Sequence, residues 1–127
     1  MRAHPARNER PLHWVGSSKR DLLAFPERVV DHIGYALGVV QLGGHPPSAK
    51  PWKGLGPGIL EVVEDDASGT YRVLYAVRFR KAVYVLHAFQ KKSPSGIRTA
   101  RHDVRLIRGR LEAARRDYEE RYGKAQE

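Results

Sequence analysis

There is no cysteine anywhere in the chain. That excludes a disulfide framework, a thiolate metal site and a thiol nucleophile. Acidic residues are also scarce: 14 Asp and Glu stand against 23 Lys and Arg in 127 residues, a formal net charge of +9. Such an excess in a small chain favours a polyanionic partner, meaning nucleic acid, an anionic membrane surface or an acidic protein. No apolar run approaches the roughly 18 residues of a membrane span, and the first thirty residues hold no signal-peptide core. The expectation is therefore a cytoplasmic protein. Histidines are present, but His4, His13, His32, His45 and His102 have no metal-binding spacing. Neither a metal nor any other cofactor is expected.

What remains is enough for one folded domain. The 41% hydrophobic share excludes a wholly disordered polycation. Residues 1–11 read as a flexible basic arm, 12–122 as a single domain and 123–127 as a tail. Leu12 to Val15 is a candidate first strand. Leu22, Val29, Ile33, Leu37 and Val40 then recur at helical spacing. Pro26 suits the first turn of a helix and not its interior, so a short helix ends near Phe25 and a longer one runs from Pro26 to Leu42. Gly43 and Gly44 stop it.

From His45 to Gly58 prolines and glycines exclude regular structure, leaving Lys50, Trp52 and Lys53 as the residues there with chemistry to offer. The period then changes to two. Ile59–Glu64, Thr70–Phe79 and Ala82–Lys91 read as antiparallel strands, and Val104, Ile107, Leu111, Ala114 and Tyr118 mark an amphipathic helix over about Thr99–Tyr122. The expected class is α+β: an N-terminal strand and helical hairpin on one face of a small antiparallel sheet, plus a C-terminal helix.

An even turn at Arg80-Lys81 sets Arg72 opposite Phe89 and Leu74 opposite His87. One face then carries Tyr71, Val73, Tyr75, Val77, Phe79, Tyr84, Leu86 and Ala88, which suits the helices. The other carries Arg72, Leu74, Ala76, Arg78, Val83, Val85, His87, Phe89 and Lys91. A one-residue bulge flips this parity. Charge under a helix is costly, so the second face is expected to lie open to solvent or ligand. A cation, an imidazole and an aromatic together suit RNA: Arg forks onto phosphate, an aromatic stacks an unpaired base, and His moves a proton near neutral pH.

The runs Tyr71-Arg72-Val73-Leu74-Tyr75 and Val83-Tyr84-Val85-Leu86-His87-Ala88-Phe89-Gln90-Lys91-Lys92-Ser93 resemble the phage-related, HigB-like branch of the RelE/ParE toxin superfamily. Ser17-Ser18, Phe25-Pro26, Tyr35-Ala36-Leu37 and Lys50-Pro51-Trp52-Lys53-Gly54-Leu55 fit the same branch, and the resemblance covers roughly Leu12 to Tyr118. It implies a twisted sheet of the RelE type and a toxin of a type II toxin–antitoxin pair. Relatives commonly cleave mRNA on the ribosome and are neutralised by a cognate antitoxin, often a helix-turn-helix protein. This chain departs from the pattern at Glu61-Val62-Val63, where many relatives place an Arg two residues after the Glu. Thr99-Ala100 likewise replaces a Thr-Pro.

The expected reaction is metal-free attack of an RNA 2′-hydroxyl on the adjacent phosphorus. His87 is the candidate proton-transfer group and Arg72 the brace for transition-state charge, with Lys53 and Lys91 adding charge and Glu61 an alternative base. Lys50, Arg78, Phe89, Lys92, Arg98 and Arg101 are the candidate RNA-binding residues. Two other functions fit the same composition: a ParE-like inhibitor of DNA gyrase, and a non-catalytic phage-derived nucleic-acid-binding protein.

Overall fold

The computed structural model describes residues 9–91 and 101–124. Lys92, Arg98, the start of the last helix at Thr99, most of the basic arm and the end of the tail lie outside them. The elements run β1 (Leu12–Trp14), α1 (Ser18–Leu23), α2 (Glu27–Gln41), β2 (Ala49–Pro51), β3 (Ile59–Asp66), β4 (Gly69–Ala76), β5 (Val83–Lys91) and α3 (Arg101–Tyr122). Five strands form one sheet in the order β1-β5-β4-β3-β2. β1 is parallel to β5 and every other pairing is antiparallel, so the sheet is mixed where an antiparallel one was expected.

The helical hairpin forms for the reasons its sequence suggests. Pro26, at φ −55° and ψ 145°, separates the two helices and opens α2, whose buried stripe is Val29, Ile33, Ala36, Leu37 and Val40. At the far end Gly43 takes φ +90°, and the Gly43 and Gly44 N–H groups donate to the Val40 and Val39 carbonyls. Only glycine adopts that conformation cheaply. Just upstream of β1, Arg10 is tied down: its backbone N–H donates to the Gln41 carbonyl and its guanidinium to the Val40 carbonyl, both at 2.9 Å.

The sheet is packed on both faces. One core joins α1 and α2 to Val62, Tyr71, Val73, Tyr75, Val83, Val85 and Ala88. The other joins Ile107, Ala114 and Tyr118 of α3 to Ile59, Leu74, Ala76, Phe79, Tyr84 and Leu86. Burying each such large side chain contributes about 1.5–3 kcal/mol, and neither helix layer is stable without it. The expectation of a face left open opposite the hairpin is thus corrected. α3 lies there, packed on β5.

Parity along β5 also differs from the even-turn expectation, and the cause is a bulge. Leu74 pairs with His87 but its neighbour Tyr75 pairs with Val85, so Leu86 is an extra residue. Val83 and Val85 therefore join the hairpin core while Tyr84 and Leu86 face α3. Beyond the bulge the expected pairs hold, with Arg72 opposite Phe89. The turn residues Arg80 and Lys81 need no positive φ, because the connection is longer than a tight turn.

A second correction concerns the Pro/Gly stretch. It contains β2, in which Ala49, Lys50 and Pro51 pair with Val62, Glu61 and Leu60. Pro51 is tolerated because β2 is an edge strand.

Candidate nucleic-acid interface

The register of the sheet places the charged residues on the α3 side in two adjoining rows. Lys50, Glu61, Leu74 and His87 lie opposite one another across β2, β3, β4 and β5. The next row holds Val63, Arg72 and Phe89, and Lys91 follows beside Thr70. The bulge at Leu86 brings Tyr84 and Leu86 onto the same side as His87, Phe89 and Lys91, although the two groups differ in parity along β5.

Within the set, burial divides the residues sharply. Glu61 is buried, and one Arg72 guanidinium nitrogen lies 3.2 Å from each of its carboxylate oxygens. The Arg72 side chain is only 12% exposed and its Nε has no partner among the described residues. Lys50 Nζ approaches the same carboxylate at 3.9 Å but is 60% exposed. One buried carboxylate thus stands between two cations, with Lys91 close enough to feel all three. Loss of hydration and repulsion from Arg72 and Lys50 lower the Lys91 pKa, while Glu61 opposes them. The group is cationic on balance; Lys50 is exposed and Lys91 half-buried.

His87 is buried, its ring stacked on Phe89 at 4.6 Å and 19°. Its Nε2 lies 2.9 Å from Asp103 Oδ1 on α3, and its Nδ1 is enclosed with no partner among the described residues. Burial lowers the His87 pKa. The Asp103 hydrogen bond and charge pull it back, and Arg110 adds repulsion. The imidazole is therefore neutral at pH 7.

Two other expected residues are placed elsewhere. Arg78 donates from Nε and Nη2 to the carbonyls of Leu55 and Pro57, with contacts from 2.6 to 3.2 Å, so its guanidinium braces the loop after β2. Gly58 is needed because the Arg78 backbone passes close by: at φ +83° a Cβ there would meet Arg78 Cβ at 2.8 Å. Lys53 is exposed on the braced loop and lines a shallow cleft of about 320 Å³ with Trp52, Gly54 and Pro57. Arg101 is exposed at the start of α3, and Arg105 and Arg108 continue the ridge at helical spacing.

Two residues in contact with the site were missed from sequence. Asp103 was one acid among many arginines. Arg110 carried a signal: it interrupts the apolar stripe of α3 between Ile107 and Ala114. Its guanidinium donates to the Leu86 carbonyl at 2.9 Å and to Ser17 Oγ at 3.0 Å, pinning the bulge to α1 and α3. Among the described residues no group of three or more His, Cys, Asp or Glu is placed to hold a metal ion. No helix among them is long and apolar enough to cross a membrane.

These features define a small basic α+β protein with a cationic sheet face. Residues 20–112 match the family described as phage derived protein Gp49-like (DUF891), and the chain belongs to it. No curated protein matches it. Among solved structures it is similar to a chain of the toxin–antitoxin complex RelBE2 from Mycobacterium tuberculosis. The identity is 22%, over 65% of this chain and 99% of that one, with a TM-score of 0.47.

Proposed function

We propose that the chain is the toxin of a type II toxin–antitoxin pair and acts as an mRNA endoribonuclease on the ribosome, held in check by a cognate helix-turn-helix antitoxin. The observation that carries this reading is the convergence of Lys50, Glu61, Arg72, His87, Phe89 and Lys91 on one side of the sheet. Membership of the phage-derived family and the net charge of +9 support it.

In this reading Lys50, Lys91 and the Arg101–Arg105–Arg108 ridge hold the RNA backbone. The substrate 2′-hydroxyl attacks the neighbouring phosphorus while neutral His87 takes its proton. Arg72, fixed by Glu61, stabilises the charge on the pentacoordinate phosphorus. The P–O5′ bond then breaks, and Lys91 returns a proton to the leaving oxygen. The products are a 2′,3′-cyclic phosphate and a 5′-hydroxyl. Lowered pKa values suit both partners: His87 is unprotonated and able to accept, and Lys91 gives its proton up more readily than an ordinary lysine. Lys53, Phe89, Lys92 and Arg98 are assigned to RNA contact, Phe89 by stacking.

The test is induction of the chain in cells, mapping of mRNA 5′ ends and, in parallel, cleavage of a message on purified ribosomes. Growth arrest with new 5′ ends, abolished by Arg72→Ala and Lys91→Ala, is expected. Arrest with intact messages and collapsed DNA supercoiling would assign the chain to gyrase inhibition instead. Salt-sensitive RNA binding without arrest would leave it a binding protein.

A further inference from the structure

Trp52 carries chemistry that the scheme above does not use. It continues the β2–β3 pairing past Pro51, its backbone N–H donating to the Ile59 carbonyl at 2.8 Å. Side chains alternate along a strand, so Trp52 stands on the same side of the sheet as Lys50, roughly 6.5 Å further along. The indole is half-buried and packs on the core shared with α3. It also lines the cleft of about 320 Å³, together with Pro51, Lys53, Gly54, Pro57 and Ile59. That lining comes entirely from β2, β3 and the loop between them. Pro51, Lys53, Gly54 and Pro57 are exposed, so a ligand enters from solvent without displacing a helix.

The cleft is formed in advance of any ligand. Arg78 reaches from the β4–β5 connection to the Leu55 and Pro57 carbonyls and so fixes the course of the loop. Gly54 adds no side chain over the indole: a Cβ there would lie 4.0 Å from Trp52 Cζ3. A preformed site loses little freedom on binding.

Its chemistry selects a flat, π-bearing group with negative charge beside it. The walls are prolines, glycines, an isoleucine and the indole. The charge comes from Lys50 and Lys53, on either side of Trp52 in a chain of net charge +9. An aromatic platform between cations is the arrangement that takes a base of a single strand. A peptide adding as a further strand is poorly served here. The register turns the backbone groups of Lys50 and Trp52 toward β3 and those of Ala49 and Pro51 outward. The Ala49 N–H already donates to the Pro46 carbonyl at 3.0 Å, and Pro51 has no N–H to give.

We infer that the Trp52 cleft is a subsite for an unpaired nucleobase of single-stranded RNA, stacked on the indole while Lys50 and Lys53 hold the flanking phosphates. This rests on the RNA-binding half of the reading above and not on the identity of the proton-transfer groups.

The chain has two tryptophans, so Trp14→Phe leaves Trp52 as the only indole reporter. The full chain with that change is titrated with single-stranded RNA methylated at every 2′-oxygen, which 2′-hydroxyl attack cannot consume, and with an abasic strand of equal length. The RNA is expected to quench the Trp52 emission and the abasic strand to leave it nearly unchanged. In the native background Trp52→Leu should weaken RNA binding ~5-fold or more, the scale of one stacked base. The slope of log affinity against log salt should stay as it was, since no charge is lost. Trp52→Phe should recover part of the affinity. Emission that RNA leaves unchanged, equal quenching by both strands, or full affinity in Trp52→Leu overturns the subsite. So does an acidic peptide that moves the signal where RNA does not, which gives the cleft to a protein partner. The nuclease reading is judged separately. Messages left intact by a chain whose Trp52 responds to RNA overturn cleavage and leave the subsite standing; messages cut by a chain whose Trp52 stays silent overturn the subsite alone.

Discussion

Glu61 and Arg72 meet across the β3–β4 pairing with both carboxylate oxygens 3.2 Å from a single guanidinium nitrogen, almost out of reach of solvent. Two charges in such a place need each other more than the fold needs the pair. Truncating one leaves the other buried and unmatched, at a cost of about 3–5 kcal/mol. Glu61→Ala is expected to destabilise the chain by that much in urea unfolding. The double variant Glu61→Leu with Arg72→Met should lose clearly less than the sum of the single losses. Strict additivity would contradict the coupling.

The exposed Lys50 should behave in the opposite way. Lys50→Ala is expected to leave the unfolding midpoint nearly unchanged, because the side chain is largely in water. It should weaken RNA binding and reduce the slope of log affinity against log salt by about 0.7–1. Titrations of a single-stranded RNA at several salt concentrations measure this directly. An unaltered slope would remove Lys50 from the interface.

Arg110 is predicted to matter for stability out of proportion to its place on a surface helix. Its guanidinium makes two charge-assisted hydrogen bonds, one to the carbonyl of the bulge residue Leu86. Arg110→Ala should cost about 3 kcal/mol, from the lost bonds and the orphaned carbonyl. Arg110→Lys should recover only part, since one ammonium cannot reproduce the fork. Thermal unfolding of the three proteins gives the comparison.

Stability should have a plateau bounded by histidines and tyrosines. Burial lowers the pKa of His13 and of His87, so the unfolded chain takes up those protons first. Their contribution is complete above the ordinary histidine value near 6.5 and is lost as pH falls below it toward the depressed folded values. Burial pushes Tyr75 up to about 12 and also raises Tyr84, whose hydroxyl donates to Asp117 at 2.6 Å. Those contributions are complete below pH 10 and fade above it, that of Tyr75 as pH climbs to about 12. Melting temperatures across the range should show both shoulders. His13→Gln should flatten only the acidic one.

Much of this architecture can be read from the chain, and the exceptions share a cause. The helices α1 and α2 announce themselves through a 3.6-residue stripe and Pro26, and the strands through a period of two. β2 gives no such signal: three residues, the last of them a proline, are too few for any periodicity. They are strand only because Glu61 and its neighbours offer partners. The bulge at Leu86 is equally silent, since nothing from Tyr84 to Ala88 departs from ordinary strand composition. The layer that covers a sheet face is a tertiary choice. Ile107, Ala114 and Tyr118 predict a buried stripe on α3 but not the side on which it docks. For the site, parity near Arg72 and His87 came through because the error lay between the bulge and the turn. The contact between Asp103 and His87 depends on α3 crossing that face, and no local pattern encodes it.

The pairing of β1 with β5 bears on how the protein is made. Leu12 leaves the ribosome early but finds its partner strand only when Val83 has followed, and the bulge finds its arginine later still. Contacts so distant along the chain form slowly and late in synthesis. A nascent chain that stops before α3 has neither Asp103 to meet His87 nor Arg110 to hold the bulge. Until α3 has been made, the apolar row of Leu74, Tyr84 and Leu86 therefore stands bare on the half-built sheet.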